Sequence, residues 1–367
     1  MLHTVPDFPR AVVAFLVCLG VLVFIHELGH YLAARWRGVH VETFSIGFGR
    51  ALTSWVDRRG TVWKLGWIPL GGYVKLHGQE RLEDMPPERR AERIPGRSFQ
   101  EKPLLSRAIV VAAGPAANFF LTFVLFFALF AILGRPVTLP VVTDVLPGSA
   151  AAKAGLAAQD RVVAIDGAPI TTFEELQAAV AAHPGAPMTV RVRRDGAERA
   201  VSVTVGAQEE NGHKVGLLGI KGGVVEYRQQ SIPGALWGGA AETWRVTEET
   251  VRGLAQMVSG HGSAGEIGGP LRIAQLSGQV AALGAASFVS FIAVLSVNLG
   301  LINLFPIPVL DGGHLLFYLA EAIRGRPLPP RAQEYGVRAG LALLVGLMVF
   351  ATWNDLGHLG LFRWVAG

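Results

Sequence analysis

The hydrophobic positions of this chain fall into four long apolar runs that are separated by more polar segments. Each run is close to the roughly 20 residues that an α-helix needs to cross a bilayer. The pattern therefore predicts transmembrane helices at 11–31, 104–133, 285–305 and 337–350 with its flanks. The first run is too long for a cleaved signal peptide and lacks a small-residue cleavage site.

Between the first two runs, aromatic and β-branched residues alternate with polar ones over 39–76, which predicts β structure. A hairpin turn is predicted between Asp57 and Gly60. The glycines and tryptophans of this region suit a sheet that lies against the membrane interface or dips into it. A small cytoplasmic β domain is the alternative. The charged, proline-bearing stretch 80–102 predicts a surface linker.

After the second run, the shorter periodicities are those of a compact α+β module. Its predicted elements are a strand at 141–146, a strand with its turn at 160–167, a helix at 172–182 and a hairpin across Asp195-Gly196. Further on, Trp, Val, Leu and Met at helical spacing predict an amphipathic helix within 231–283. This helix either rests on the membrane surface or packs against the α+β module. A glycine-rich turn is predicted at 260–269.

Composition agrees with a membrane protein, since 51% of the 367 residues are hydrophobic and 17% are charged. Arg324, Arg326 and Arg331 place the third connection in the cytoplasm by the positive-inside rule, and the segment 136–283 on the opposite face. Basic residues that flank the membrane account for the formal net charge of +5. No basic stripe interleaved with aromatic residues indicates nucleic-acid binding. Cys18 is the only cysteine, which excludes an intrachain disulfide.

The first apolar run carries an unexpected polar cluster of His26, Glu27 and His30. Residues four apart lie on one helical face, so both imidazoles can reach one zinc ion, with Glu27 placed to activate a water molecule there. Ionisable side chains are costly at membrane depth, which indicates that the cluster has a function. The alternative is a set of polar residues that only pair helices within a bundle.

A catalytic zinc ion usually has three protein ligands, so a third must come from elsewhere in the chain. Pro306 and Pro308 break the third apolar helix and free backbone groups, which lets Asp311 turn towards the metal. His314 is the chemical rival, because imidazole is also a good zinc ligand. The spacing alone leaves both residues open.

Two asparagines lie within the predicted membrane helices. Asn118 follows a run of small residues at 112–117 that permits close helix approach, and it either hydrogen-bonds across the bundle or only packs there. For Asn298, an inter-helix hydrogen bond is a sufficient explanation.

The motifs together resemble the site-2 protease family of intramembrane zinc metalloproteases, most closely the bacterial regulator of sigma-E protease type. The resemblance spans nearly the whole chain. The residues that carry it are the HExxH motif, the Gly47-Phe48-Gly49 loop, Gly114-Pro115 with Asn118, and Asn303-x-x-Pro306-x-Pro308-x-x-Asp311-Gly312.

The α+β module resembles a bacterial PDZ domain. The residues that carry this similarity are Gly155-Leu156, Asp160-Arg161 and Asp166-Gly167, with Gln159 in the place of the usual glycine. Better-known relatives have two tandem PDZ domains, whereas this chain has room for one. A PDZ domain binds an extended peptide at a strand edge, or the module is a spacer that screens substrates by bulk. Both possibilities remain open.

The resemblance implies that His26, His30 and Asp311 are the zinc ligands and Glu27 the catalytic base, and it favours Asp311 over His314. It also implies that Asn303, together with Pro306 and Pro308, binds the unwound substrate, and that the 39–76 sheet offers an edge to it. The alternative for Asn303 is that it caps free carbonyls of its own broken helix.

The implied function is an intramembrane zinc endopeptidase that cuts single-pass membrane proteins within or near their transmembrane segment. The implied substrates are an anti-sigma factor or remnant signal peptides. The implied location is the bacterial inner membrane, with the termini and the PDZ-like domain extracytoplasmic and the active site towards the cytoplasm. A zinc or ion transporter is an alternative that predicts inverted repeats or several polar spans, and neither is seen. A non-catalytic PDZ scaffold would not need the zinc motifs.

The predicted fold is a polytopic α-helical membrane protein with about four transmembrane helices, a membrane-associated β-hairpin or sheet, and an inserted α+β PDZ-like domain. The predicted segments are a first transmembrane helix (1–35), a cytoplasmic-side β region and linker (36–103), a second transmembrane helix (104–135), the PDZ-like domain (136–228), an amphipathic, glycine-rich extracytoplasmic segment (229–284), a third transmembrane helix (285–318), a cytoplasmic loop (319–336), and a fourth transmembrane helix with the C-terminus (337–367).

Overall fold

The computed structural model describes residues 8–79, 94–210, 213–259 and 268–358. Most of the predicted linker and of the predicted glycine-rich turn, and the end of the predicted C-terminal segment, lie outside the described residues.

In chain order, the helices are α1 (Phe8–Trp36), α2 (Leu104–Ile132), α3 (Ala150–Ala154), α4 (Phe173–Ala181), α5 (Ile232–Val258), α6 (Pro270–Ala282), α7 (Ala285–Asn303), α8 (Asp311–Arg324) and α9 (Pro330–His358). The strands are β1 (Val41–Val56), β2 (Val62–Leu76), β3 (Arg135–Val145), β4 (Arg161–Ile165), β5 (Ala168–Pro169), β6 (Pro187–Arg194), β7 (Ala197–Thr204), β8 (Gly206–Glu210), β9 (His213–Leu217) and β10 (Ile220–Arg228).

These elements form two compact units. The membrane unit consists of residues 1–129 and 236–367, and the inserted unit of residues 130–235. Four helices of the described chain, α1, α2, α7 and α9, are long and apolar enough to cross a bilayer. This confirms the prediction of a polytopic membrane protein that also contains β-sheets.

The chain after the third span differs from the predicted boundaries. The predicted segment 285–318 contains two helices, because α7 ends at Asn303, near the predicted end of the apolar run at 305, and a new helix, α8, starts at Asp311. Proline lacks the backbone N–H that a helix interior needs, so Pro306 and Pro308 separate the two helices. This break places Asp311 at the start of a helix.

Helical structure also extends into the predicted loop over 319–336, because α8 continues to Arg324. The helix ends there because Gly325 adopts the left-handed conformation, with φ of 66°, that terminates many helices. Since α9 begins at Pro330, the connection between the two helices is short.

Strands β1 and β2 confirm the predicted β region and fold back on themselves in a single antiparallel sheet. Residues 43–46 pair with 62–65 on one side and with 72–75 on the other, while 51–56 extend the sheet beyond 62–66. The bend in β1 occurs at Gly47, with φ of 82°, where a Cβ would lie 2.7 Å from the Ile68 carbonyl oxygen. Only glycine fits such a left-handed, crowded position.

The hairpin turn between β1 and β2 is held by one carboxylate. Asp57 Oδ1 accepts hydrogen bonds from the backbone N–H groups of Arg59 and Thr61, and Asp57 Oδ2 accepts one from Trp63 Nε1. Large apolar side chains of both strands are exposed, as expected of a sheet that meets the membrane interface. They include Phe48, Leu52, Trp55, Val56, Trp67 and Ile68.

The inserted unit has a sheet in the order β10-β3-β4-β6-β7 and a core of its own. Its buried residues include Val162, Leu176, Val190 and Val203. The predicted helix at 172–182 is observed as α4, whose first turn has a complete capping box between Thr172 and Glu175.

Helix α5 is the predicted amphipathic helix, and within the membrane unit it contacts two spans. A Cβ on Gly239 would lie 2.9 Å from the backbone nitrogen of Phe127 in α2. Thr250 donates a hydrogen bond of 2.9 Å to Asn298 Oδ1 in α7, which is the inter-helix bond expected for Asn298. Trp237 and Trp244 of the same helix are exposed.

Candidate metal centre

Three polar side chains converge where α1 meets the start of α8. His26 and His30 lie one helical turn apart, with their Nε2 atoms separated by 3.2 Å. Asp311 Oδ2 lies 3.2 Å from Nε2 of His26 and 3.4 Å from Nε2 of His30. In the part of the chain that the structure describes, these three residues form the group of His, Cys, Asp and Glu side chains able to share a metal ion. His314 does not belong to this group.

The triangle of donor atoms has the dimensions of one face of a zinc tetrahedron. Zn–N and Zn–O bonds of about 2.0–2.1 Å at tetrahedral angles place neighbouring ligand atoms about 3.3–3.4 Å apart. The observed separations of 3.2, 3.2 and 3.4 Å match this spacing. Asp311 Oδ2 is buried and makes no well-formed hydrogen bond to the described residues, which leaves it available to a cation.

The second ring nitrogen of His30 also has a hydrogen-bond partner. Its Nδ1 lies 2.9 Å from the carbonyl oxygen of Val110 in α2. Because a carbonyl only accepts hydrogen bonds, Nδ1 carries the ring hydrogen and Nε2 presents its lone pair to the centre. Helix α2 thus orients the His30 ring so that its Nε2 atom faces His26 and Asp311.

Glycines allow the helices to approach this closely. A Cβ on Gly29 would lie 2.2 Å from the Ala113 carbonyl oxygen, so α1 and α2 are in backbone contact next to the cluster. A Cβ on Gly114 would lie 2.2 Å from His30 Nε2 itself. Gly312 and Gly313, directly after Asp311, are likewise too close to the backbone of 304–308 for any side chain.

Glu27 lies between the two histidines in α1 and faces the β region. A Cβ on Gly72 of β2 would lie 3.2 Å from Glu27 Cγ and 2.7 Å from Val23 Cγ1. Gly72 and the residues after it pair with β1 on one side, and no other described strand pairs with them. The carboxylate therefore lies beside a strand at the edge of the sheet.

Comparison with known proteins identifies the family. The profile of peptidase family M50 matches residues 14–347. The chain belongs to this family. The match confirms the predicted site-2 protease class, a zinc metalloprotease that acts within the membrane, and it decides against the transporter and scaffold alternatives.

The relatives of this M50 peptidase match nearly its whole length. A "putative zinc metalloprotease" of Rhizobium meliloti (strain 1021) is 47% identical over 360 residues, 94% of this chain and 96% of its own. Metalloprotease MmpA of Caulobacter vibrioides is 36% identical, covering 97% of each chain. Zinc metalloprotease RasP of Geobacillus kaustophilus is 33% identical over 95% of this chain and 98% of its own.

The residues predicted to bind substrate in this M50 peptidase lie around the break after α7. Asn303 Nδ2 donates a hydrogen bond of 3.0 Å to the carbonyl oxygen of Leu299 in its own helix, the contact expected of the capping alternative. Pro308 packs against α9, where a Cβ on Gly340 would lie 2.0 Å from the Pro308 carbonyl oxygen. Pro306 lies in the turn between Asn303 and Pro308.

One feature near the centre was missed from the sequence. Arg107 at the start of α2 donates a hydrogen bond of 2.6 Å to Glu321 of α8, and its guanidinium lies 5.0 Å from the ring centre of Tyr318. Both charged side chains are largely buried. This pair fixes the helix that carries Asp311 to α2, and no local pattern predicts it, because its partners are 214 residues apart.

Proposed function

We propose that this chain hydrolyses peptide bonds within or near the transmembrane segment of single-pass membrane proteins, with zinc held by His26, His30 and Asp311 and with Glu27 as general base. The observation that carries the proposal is the triangle of donor atoms, whose sides of 3.2, 3.2 and 3.4 Å suit a tetrahedral zinc ion. A pair of histidines and a carboxylate is a common ligand set of zinc peptidases.

Zinc supplies Lewis acidity in such a centre, polarising the scissile carbonyl and lowering the pKa of water to about 7. Residues of the chain transfer the proton and position the ligands. Glu27 accepts the proton of the attacking water and then donates it to the leaving amine, so one carboxylate serves as base and as acid. Val110 and His30 keep the donor atoms in place through the 2.9 Å hydrogen bond between them.

A peptide bond in an intact helix is shielded by its own hydrogen bonds, so a substrate helix must unwind before it is cut. The edge formed by 72–76 lies beside Glu27 and offers backbone hydrogen bonds to an extended substrate. Asn303 supplies a further hydrogen bond to the unwound backbone when its amide turns away from Leu299, with Pro306 and Pro308 shaping that side of the site.

The proposed substrates are an anti-sigma factor or remnant signal peptides, and the proposed location is the bacterial inner membrane. In this orientation Arg324, Arg326 and Arg331, at the connection between α8 and α9, lie in the cytoplasm, and the inserted unit lies outside it. The inserted unit is proposed to be a PDZ-like domain that binds or screens the soluble part of the substrate. Its strand β10 is at the edge of the sheet, as peptide addition requires.

The test compares the wild type with Glu27→Gln, using a model single-pass substrate in liposomes and measuring the zinc content of both proteins. We expect wild type to cut and Glu27→Gln to be inactive at equal zinc content. A His26→Ala variant is expected to lose both zinc and activity. Cleavage by Glu27→Gln at the wild-type rate, or zinc-free wild type that cuts equally well, would overturn the proposal.

A further inference from the structure

The two proposed histidine ligands differ in the group that their Nδ1 atom faces. When Nε2 binds a metal, the ring hydrogen is on Nδ1, which then needs an acceptor. His30 has one in the carbonyl oxygen of Val110. His26 Nδ1 instead faces the side-chain amide of Asn118 in α2, at 3.3 Å from Nδ2. His26 itself is buried, so water does not easily replace this partner.

The side-chain amide of Asn118 also lacks a hydrogen-bond partner within the described chain, in this case for its oxygen. Asn118 is fully buried, and its Oδ1 has no hydrogen-bond partner among the described residues. A buried carbonyl oxygen without a donor destabilises the folded state. Half a turn of the amide about the Cβ–Cγ bond exchanges Oδ1 and Nδ2 and leaves the other atoms in place. Oδ1 then faces Nδ1 of His26 and accepts its hydrogen.

We propose that the side-chain carbonyl of Asn118 accepts the hydrogen bond from His26 Nδ1 and so holds Nε2 of that ring towards the metal. Asn118 is thereby a positioning residue of the centre, acting through His26 as Val110 acts through His30. This inference rests on the proposed zinc site.

The surroundings of Asn118 hold its backbone in one place. Ser296 of α7 donates a hydrogen bond of 2.8 Å to the Asn118 carbonyl oxygen. Thr122 Oγ1 is 3.1 Å from the same oxygen and 2.9 Å from the carbonyl oxygen of Ala293. All these polar residues are buried, so they fix α2 against α7 at the level of His26.

The experiment measures zinc affinity of the full chain in detergent by competition with a chromophoric chelator, a readout independent of cleavage. Asn118→Leu keeps the branched shape of the side chain but removes the acceptor, and we expect it to weaken zinc binding by about 10–100-fold. Asn118→Asp keeps an acceptor but has no donor, and we expect it to bind zinc at least as well as wild type. The control Asn298→Leu removes a membrane-helix amide whose partner is Thr250, and it should leave the affinity unchanged.

The outcomes separate the two proposals. If wild type takes up no zinc, the proposed function fails and this inference with it. If wild type binds zinc and Asn118→Leu binds it equally well, only the role of Asn118 is overturned. If Asn118→Asp elutes from the sizing column as wild type does but binds zinc as weakly as Asn118→Leu, the proposal is also overturned, because loss of the amide donor would then explain both results.

Discussion

Gly114 of α2 lies directly against His30 of α1, since a Cβ on Gly114 would be 2.2 Å from the Nε2 atom of that ring. Non-bonded heavy atoms prefer separations of about 3.5–4.0 Å, so even a methyl group does not fit there. Because Nε2 is the proposed ligand atom, the missing side chain at position 114 is a requirement of the metal centre rather than of helix packing alone.

Replacing Gly114 by alanine should therefore remove zinc. We expect Gly114→Ala to reach the membrane but to contain little zinc and to cut no substrate, because the His30 ring must move away from the other ligands. Zinc content by atomic absorption is the measurement. Gly20→Ala in α1 is the matched control, since a Cβ there meets nothing within 4 Å. Full zinc occupancy in Gly114→Ala would show that the site tolerates a side chain at this position.

Gly72 provides a test that separates the base from the metal. A Cβ there would press on Glu27 Cγ at 3.2 Å and on the Ser45 carbonyl oxygen at 2.7 Å. We expect Gly72→Ala to retain zinc but to lose cleavage rate on the order of 100-fold, the effect of misplacing a catalytic group by about 1 Å. Single-turnover cleavage and zinc content are measured on the same sample. Loss of zinc in parallel with activity would argue against this separation.

The buried pair between Arg107 and Glu321 should stabilise the position of α8. Removing one partner of a buried pair leaves an uncompensated charge and costs about 3–5 kcal/mol. We expect Glu321→Ala to lower the midpoint of thermal unfolding in detergent and to lose zinc more readily to a chelator. The control is Glu334→Ala, whose exposed pair with Arg338 is worth about 0–1 kcal/mol. Equal behaviour of the two variants would contradict the supporting role of Glu321.

The parts of the structure that the sequence predicted correctly are those encoded by short-range patterns. The four spans follow from apolar length, and the placement of His26 and His30 on one face follows from helical spacing. The break after α7 follows from Pro306 and Pro308, although the helix that starts at Asp311 was not anticipated.

What the sequence did not predict depends on contacts between distant segments. The register that brings Gly72 to Glu27 is set by the sheet as a whole, and the small residues before Asn118 indicated close packing but not its partner His26. Gln159, noted for standing where glycine is usual, has φ of 70°. This left-handed backbone conformation explains why glycine is usual at the position. The same conformation could not be deduced from a glutamine there, because side chains other than glycine rarely adopt it.

Asp160 is expected to make the free energy of unfolding of the inserted unit depend on pH. Its carboxylate is fully buried and accepts hydrogen bonds of 2.6 and 2.7 Å from Arg194 and one of 2.9 Å from the Ala157 backbone N–H. Burial raises the pKa of Asp160, but these hydrogen bonds and the positive charge of Arg194 outweigh it, so the pKa lies below that of an ordinary aspartate. A lower pKa in the folded state means that ionisation of Asp160 stabilises the fold.

This contribution is complete above the pKa of about 3.9 of an unfolded aspartate, and it is lost as the pH falls through the lower folded value. Asp160→Asn should therefore reduce the free energy of unfolding by about 1.5–3 kcal/mol at neutral pH, with a smaller difference below pH 3. Urea unfolding of segment 130–235, which has its own core, measures the free energy of unfolding at neutral pH and below pH 3. The control Glu198→Gln breaks the exposed pair with Arg193 and should change little at either pH. A difference between Asp160→Asn and wild type that did not narrow in acid would mean that the hydrogen-bonding shape of Asp160, and not its charge, stabilises the unit.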